Sequence, residues 1–351
     1  MNTVNTMNTM KRILPVAVCL CALILTAAPA READPETVGA AGKTARRQRD
    51  YRGVFPVRTI AVITPASYPG SKANRTGVEL LKKAAYNVKV LPHTFEKPAP
   101  EKMAASKNYA SLPVELRLED FYKAWNDPEV EMILCSRGGT GCQELMAKID
   151  WSKLKKRPEL IFMGFSDVTL VHCRLVQKGY GRPVAGPTAG SLPGLDPKVI
   201  PGMKKMLSGA EVGPIKVTPL VKGECSGKPL AGLLSRFVRA KNADFLPETR
   251  GRVIFIEGVK CTAEGVKRDL EELKAKKFFD GVAGVVFCKF TGTKEGEAIR
   301  AVIHEFAPKL GGIPVYEGFP FGHAAGNHAI DLTRTAVIRN DAVSFPAVQK
   351  K

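Results

Sequence analysis

Short apolar runs alternate with amphipathic segments along most of this chain, and the alternation predicts a fold of alternating strands and helices. Residues 59–64, 132–135 and 160–163 are almost entirely apolar, as in strands that are buried on both faces. Residues 116–127 instead carry apolar side chains at helical spacing. Strands separated by helices in this way favour a parallel sheet that helices cover on both sides.

The same alternation returns in the second half of the chain, beyond residues 186–213, which are rich in Gly and Pro and read as a linker. Residues 96–111, rich in Pro, Lys and Ser, predict a loop in the first half. The other predicted elements are helices over 77–85, 263–276 and 295–306, and strands over 88–91, 252–256, 282–290 and 313–315.

The first thirty residues have the pattern of a secretory signal peptide. Lys11 and Arg12 precede the apolar residues 13–25, and Ala28-Pro29-Ala30 supplies a small-x-small cleavage site. The apolar run is shorter than the roughly 20 residues that a membrane-spanning helix needs. We therefore expect an exported chain, periplasmic or extracellular, with no membrane span after cleavage.

The chain is strongly basic, and this charge bears on its partners. The net charge is +19, and removing residues 1–30, which hold Lys11, Arg12 and no acid, lowers it by two to +17. Such a charge suits an anionic partner such as a cell-wall polymer. Basic and acidic residues are interleaved, as in 267–277, and basic residues do not alternate with aromatic ones. We therefore expect a solvated basic surface and no nucleic-acid partner.

Six cysteines remain after residue 30, and their spacing argues against a metal site. No CxxC pair and no cysteine–histidine spacing typical of zinc occurs among them. Cys135 and Cys288 lie in apolar runs, where a free thiol behaves as a small hydrophobic side chain. We expect neither a metal nor another cofactor.

The most distinctive chemical motif is SRGGTGC, residues 136–142, which we call the glycine turn. It follows an apolar strand and precedes a helix-like segment, a geometry that can lift a nucleophile out of a parallel sheet. The positive end of a helix dipole favours the thiolate form of a cysteine at that position. Cys142 is therefore a candidate nucleophile, and an incidental cysteine beside a glycine turn is the alternative.

Three further motifs follow strands, and each has a purely structural interpretation. In GFSDVT, residues 164–169, Ser166 and Asp167 suit a helix cap. Glu257 ends the strand of IFIEGV, where an acid often faces solvent. His323 lies in the glycine-aromatic turn GFPFGH, and a single histidine is more often structural than catalytic.

Taken together and in this order, RGGTGC, GFSDVT, IFIEGV and GFPFGH resemble the motifs of the LD-carboxypeptidases, serine peptidases that trim murein peptides and have the microcin-immunity peptidases as relatives. TPAS at 64–67 and DPEVEMIL at 127–134 add to the resemblance, which covers roughly residues 58–335. Two departures are Thr140, where the family usually has tyrosine, and AGLL at 231–234, where it has Gly-Gly-Asn-Leu.

The resemblance implies a catalytic triad. As aligned here, the serine nucleophile of the family falls on Cys142, the base on His323, and the acid that orients the imidazole on Glu257. The oxyanion hole would come from the backbone of Gly138 or Gly139 together with Gln143, and Ser166 and Asp167 would support the site.

The fold implied is α/β, with a flavodoxin-like parallel-sheet N-terminal domain and a smaller mixed α/β C-terminal domain that carries Glu257 and His323. The predicted organisation is a signal peptide over 1–30, a flexible leader over 31–55, an N-terminal domain over 56–190, a linker over 191–215 and a C-terminal domain over 216–345.

The implied activity is that of an LD-carboxypeptidase, which would release a terminal D-amino acid from murein peptides through a covalent acyl-enzyme, without a metal. The expected partners are the murein peptide and, as an open question, a second copy of the chain in a homodimer. A non-catalytic or divergent peptide-binding protein on the same fold is the alternative. The motif order, with Glu257 well ahead of His323, disfavours an amidohydrolase of the glutamine-amidotransferase type.

Overall fold

Apolar strands and amphipathic helices alternate through the first half of the protein, as the sequence pattern predicts. The computed structural model describes residues 49–106 and 109–349, so the predicted signal peptide and most of the predicted leader lie outside the described residues. In chain order, the elements of the first half are β1 (Thr59–Ile63), α1 (Lys72–Lys83), β2 (Asn87–Val90), α2 (Pro100–Ser106), α3 (Val114–Asn126), β3 (Met132–Cys135), α4 (Cys142–Lys148), β4 (Ile161–Gly164), α5 (Thr169–Lys178) and β5 (Arg182–Ala185).

The second half begins with a helix and is richer in short strands. Its elements are α6 (Ile200–Ser208), β6 (Val212–Lys216), β7 (Thr218–Val221), β8 (Cys225–Gly227), β9 (Pro229–Leu233), α7 (Leu234–Asn242), β10 (Val253–Val259), α8 (Ala263–Ala275), β11 (Gly284–Thr291), α9 (Gly296–Phe306), β12 (Val315–Glu317), β13 (Ile330–Asp331), β14 (Ala336–Arg339) and β15 (Ala342–Phe345).

The first sheet has the strand order of a flavodoxin-like fold. Its order is β13-β5-β4-β3-β1-β2, and the first five strands of the chain are parallel to one another. Read from β2, this is the 2-1-3-4-5 arrangement, in which the carboxyl ends of the strands carry the ligand crevice. The strand β13 comes from the far end of the chain and pairs antiparallel with β5.

The second half forms two smaller sheets. One has the order β7-β12-β11-β10-β9, with β9 to β12 parallel and β7 antiparallel at the edge. The other, β6-β15-β14-β8, is antiparallel. This mixture agrees with the predicted α/β class of the second half and brings the carboxyl ends of β10 and β11 to one edge.

Three segments differ from the sequence prediction or add to it. The loop predicted over 96–111 contains the helix α2, because Pro100 is pre-organised for a first helical turn and Met-Ala-Ala favours its continuation. The end of the predicted flexible leader is packed, since Tyr51 and Phe55 are buried aromatic side chains. The predicted linker contains α6.

No helix in the described ranges has the length and apolar character needed to span a membrane. The six cysteines of those ranges are all free thiols.

Candidate active site

The acid and the histidine singled out in the sequence meet at the end of the second half's parallel strands. The Nδ1 atom of His323 lies 2.9 Å from Oε2 of Glu257. The Glu257 side chain is fully buried, whereas that of His323 is 21% exposed. An ionised Glu257 accepts the Nδ1 proton and thereby leaves Nε2 as the nitrogen that can take up a proton.

Local backbone geometry places both side chains. Glu257 lies on β10 where the pairing with β11 shifts register between Ile256 and Gly258, and such bulges redirect side chains near active sites. His323 follows Gly322, whose φ of 122° is in the region that favours glycine. A Cβ atom on Gly322 would lie 2.8 Å from the Cβ of Glu257, so only glycine lets the histidine turn come this close.

Ser166 lies in a sharp turn between β4 and α5, which we call the serine elbow (residues 165–168). The strand ends at Gly164, Ser166 has a φ of 67°, and the helix begins at Thr169. A left-handed φ is uncommon for a residue other than glycine and often accompanies a functional turn. Strand, strained serine and helix together form the geometry of a nucleophile elbow.

The serine elbow lies beside the Glu257–His323 pair. The ring of Phe165, the residue directly before Ser166, packs against the His323 ring with their centroids 4.8 Å apart. Ser166 is half-buried, and its hydroxyl makes no hydrogen bond to any part of the chain that the structure describes. The structure therefore brings a strained serine, a histidine and a buried acid to one place.

The glycine turn packs directly against the serine elbow, because β3 and β4 are neighbouring parallel strands. A Cβ atom on Gly138 would lie 2.7 Å from the Cβ of Ser166 and 3.0 Å from its Oγ, so the contact requires glycine. Within residues 49–106 and 109–349, no hydrogen bond occupies the backbone N–H of Gly138 or that of Asp167. Two available donors thus lie beside the serine.

The structure corrects the prediction of an easily ionised thiol at Cys142. Cys142 is fully buried at the start of α4, and its backbone N–H donates to Oδ2 of Asp167 over 2.9 Å. Burial, with the nearby Asp167 carboxylate, raises the pKa of the Cys142 thiol well above its usual value. The desolvation and this negative neighbour outweigh the helix dipole on which the prediction relied.

The other predicted site residues differ in their contacts and their exposure. Asp167 is buried, and besides Cys142 it accepts a hydrogen bond from Arg236. Gly139 directs its carbonyl oxygen to the same arginine. Gln143 lies in the first turn of α4 with an exposed side chain. Ser166 and Asp167, expected only to support the site, are thus part of the serine elbow, which contacts both the glycine turn and the His323 ring.

The spacing between a strand and the candidate nucleophile that follows it favours Ser166 over Cys142. A nucleophile elbow requires the reactive residue to follow its strand almost at once. One residue separates Ser166 from the end of β4, whereas six residues, 136–141, separate Cys142 from the end of β3. By this spacing, the end of β4 fits an elbow better than the end of β3, which the glycine turn follows.

The burial of Cys142 predicts a slow reaction with alkylating reagents. We expect iodoacetamide at neutral pH to label Cys225 and Cys261, which are partly exposed, well before Cys142. Peptide mapping by mass spectrometry after timed quenching measures the order of labelling. Labelling in denaturant is the control, since it makes every thiol accessible. If Cys142 reacted first in the native protein, the buried, un-ionised thiol described above would be wrong.

Known protein families match two long stretches of the chain. Residues 60–184 match the LD-carboxypeptidase N-terminal domain, and residues 226–338 match the LD-carboxypeptidase C-terminal domain. A probable murein peptide carboxypeptidase of Bacillus subtilis is 27% identical over 294 residues, which cover 80% of this chain and 88% of the relative. The murein tetrapeptide carboxypeptidase of Pseudomonas aeruginosa is 25% identical over 257 residues, which cover 69% and 83%.

Solved structures share the fold. An MccF-like protein of Bacillus anthracis superposes with a TM-score of 0.70 at 21% identity, covering 83% of this chain and 97% of its own. A muramoyltetrapeptide carboxypeptidase of Oxalobacter formigenes superposes with a TM-score of 0.68 at 20% identity, covering 83% and 100%. At this level of identity the likeness establishes the two-part α/β fold.

Proposed function

The chain belongs to the LD-carboxypeptidase family, and on that premise we propose that it is a peptidase that releases the terminal D-amino acid of a murein peptide through an acyl-enzyme. The observation that carries this proposal is the hydrogen-bonded Glu257–His323 pair beside the serine elbow. Ser166 replaces Cys142 as the proposed nucleophile, because its turn has the strain and spacing of an elbow.

In the proposed reaction, Oγ of Ser166 attacks the carbonyl carbon of the scissile amide while Nε2 of His323 takes the hydroxyl proton. Glu257 holds the ring in the required tautomer and stabilises the imidazolium. Collapse of the tetrahedral intermediate breaks the C–N bond, and His323 returns the proton to the leaving amine. A water, deprotonated by the same histidine, then hydrolyses the Ser166 ester and regenerates the hydroxyl.

The developing oxyanion needs donors close to Ser166. The backbone N–H groups of Gly138 and Asp167 suit this role, since one lies on the turn packed against the serine and the other follows it in sequence. Gly138 is one of the oxyanion donors that the sequence predicts. The N–H of Asp167 takes the place of that of Gln143, the donor predicted beside Cys142.

Incubation with a murein tetrapeptide tests the activity. We expect one D-alanine to be lost, detected by mass spectrometry, and hydrolysis in ¹⁸O-water to label the new carboxyl group of the remaining tripeptide. A tetrapeptide with L-alanine at its terminus is the matched substrate control and is expected to resist cleavage. If neither peptide changes while a known murein tetrapeptide carboxypeptidase cleaves the first, the proposed activity fails and the alternative of a peptide-binding protein gains support.

A further inference from the structure

Arg236 ties together the two turns that meet at Ser166, although it comes from the other half of the chain. It lies in the first turn of α7, directly after β9. Its Nε atom donates to Oδ1 of Asp167 over 2.5 Å, and its Nη2 atom donates to the carbonyl oxygen of Gly139 over 3.0 Å. One guanidinium group therefore contacts both the serine elbow and the glycine turn.

The Asp167 carboxylate connects the same two turns through hydrogen bonds. One of its oxygens accepts from Arg236, and the other accepts the backbone N–H of Cys142 at the end of the glycine turn. Asp167 is 1% exposed and the Arg236 side chain 12% exposed, so both charges depend on these contacts. Charge-assisted hydrogen bonds in such a poorly solvated place fix geometry firmly.

The peptide group between Gly139 and Thr140 is held at both ends. Its carbonyl oxygen accepts from Arg236, and its N–H donates to Oγ of Ser67 over 3.0 Å. The N–H of Gly138, the proposed oxyanion donor, lies two peptide groups before this fixed one. Its position therefore depends on the two anchors together with the close packing of Gly138 against Ser166, and Arg236 is the charged anchor.

Resting on the proposed function, we propose that Arg236 is a positioning residue: it holds the glycine turn so that the N–H of Gly138 can stabilise the oxyanion formed at Ser166. Arg236 makes its contacts through two different nitrogen atoms in a planar group. A lysine carries the charge but presents a single nitrogen, so it cannot reproduce both contacts in the same geometry. The planar shape of the guanidinium group, and not only its charge, is therefore needed for both contacts.

The test compares kcat and KM of Arg236→Met and Arg236→Lys with those of the unaltered chain on the murein tetrapeptide. We expect kcat to fall about 10- to 100-fold in Arg236→Met, with KM changed less than about threefold, because the lost orientation matters mainly in the transition state. The kcat of Arg236→Lys should lie between that of Arg236→Met and that of the unaltered chain. The rate at which a fluorophosphonate labels Ser166 should fall in parallel, since its phosphoryl oxygen needs the same donors.

Arg182 offers a matched control for a purely structural effect. Its Nε donates to the buried Asp331 over 2.6 Å and its Nη2 to the carbonyl oxygen of Leu207 over 2.9 Å, at the amino end of β5. Arg182→Met and Arg182→Lys should lower Tm comparably and leave kcat near its original value. If the Arg182 and Arg236 variants lost kcat equally, or if Arg236→Met kept its kcat, the inference would be overturned.

The outcomes separate this inference from the proposed function. An unaltered chain that releases D-alanine and labels at Ser166, while Arg236→Met keeps its kcat, refutes the positioning role alone. An unaltered chain that neither releases D-alanine nor labels at Ser166 refutes the proposed function, and the positioning role with it.

Discussion

Ser166→Ala is expected to abolish D-alanine release from the murein tetrapeptide, lowering kcat by at least about 10⁴-fold. The reason is that the attacking oxygen is removed, and only binding and oxyanion stabilisation remain. The fold should be unaffected, because the Ser166 hydroxyl makes no hydrogen bond within the described ranges. Single-turnover assays at high enzyme concentration, with circular dichroism as the folding check, measure both expectations.

The matched variant for this experiment is Cys142→Ala. Cys142 is buried and bound to Asp167 through its backbone, a contact that alanine keeps. We expect its kcat to stay within a few-fold of the original and its stability to fall by about 1 kcal/mol, the cost of a small cavity. An inactive Cys142→Ala combined with an active Ser166→Ala would return the nucleophile to the thiol.

Glu257→Gln is expected to lower kcat by about 10³- to 10⁴-fold at neutral pH. An amide that donates to Nδ1 of His323 would force the ring proton onto Nε2, and the ring could then no longer accept the proton of Ser166. The neutral side chain has nearly the same shape, so the buried site should remain folded. Steady-state kinetics give kcat, and nitrogen-15 NMR of the imidazole reports the tautomer.

The chain supplies a control for this variant in a second glutamate–histidine pair. Glu317, at the end of β12, lies 3.2 Å from Nε2 of His304 and also pairs with Arg300. Glu317→Gln breaks a pair of the same chemistry outside the proposed site, and we expect it to leave kcat unchanged. Equal losses in the two variants would mean that Glu257 acts on the fold rather than on His323.

The elements with strong periodicity are the ones that the sequence predicts well. The strand over Met132–Cys135 agrees with its predicted bounds, and the helix Ala263–Ala275 differs by one residue, because an apolar run or stripe determines each. The short strand β13 carries only two residues, and its place beside β5 depends on pairing across 145 positions. No local pattern can encode such a partner, so the edge of the first sheet was not predicted.

The residues of the candidate site also differ in how well the sequence predicts them. Glu257 and His323 were identified because each ends a strand or lies in a distinctive turn, and they form a direct hydrogen bond. The sequence predicts Ser166 as a helix cap or as a supporting residue of the site, because the serine side chain gives no indication of a positive φ. That conformation is imposed by the abrupt passage from β4 to α5, which depends on tertiary packing. Arg236 was missed for a similar reason, since its partners lie 69 and 97 residues away.

The pairing of β13 with β5 also constrains how the protein is made. Ile330 and Asp331 leave the ribosome long after β1 to β5 have emerged. Until then the edge of β5 offers unpaired backbone groups, the kind of surface that attracts other chains. The first sheet is therefore complete only after β13 has been synthesised. Truncation before residue 330 leaves the edge of β5 exposed permanently.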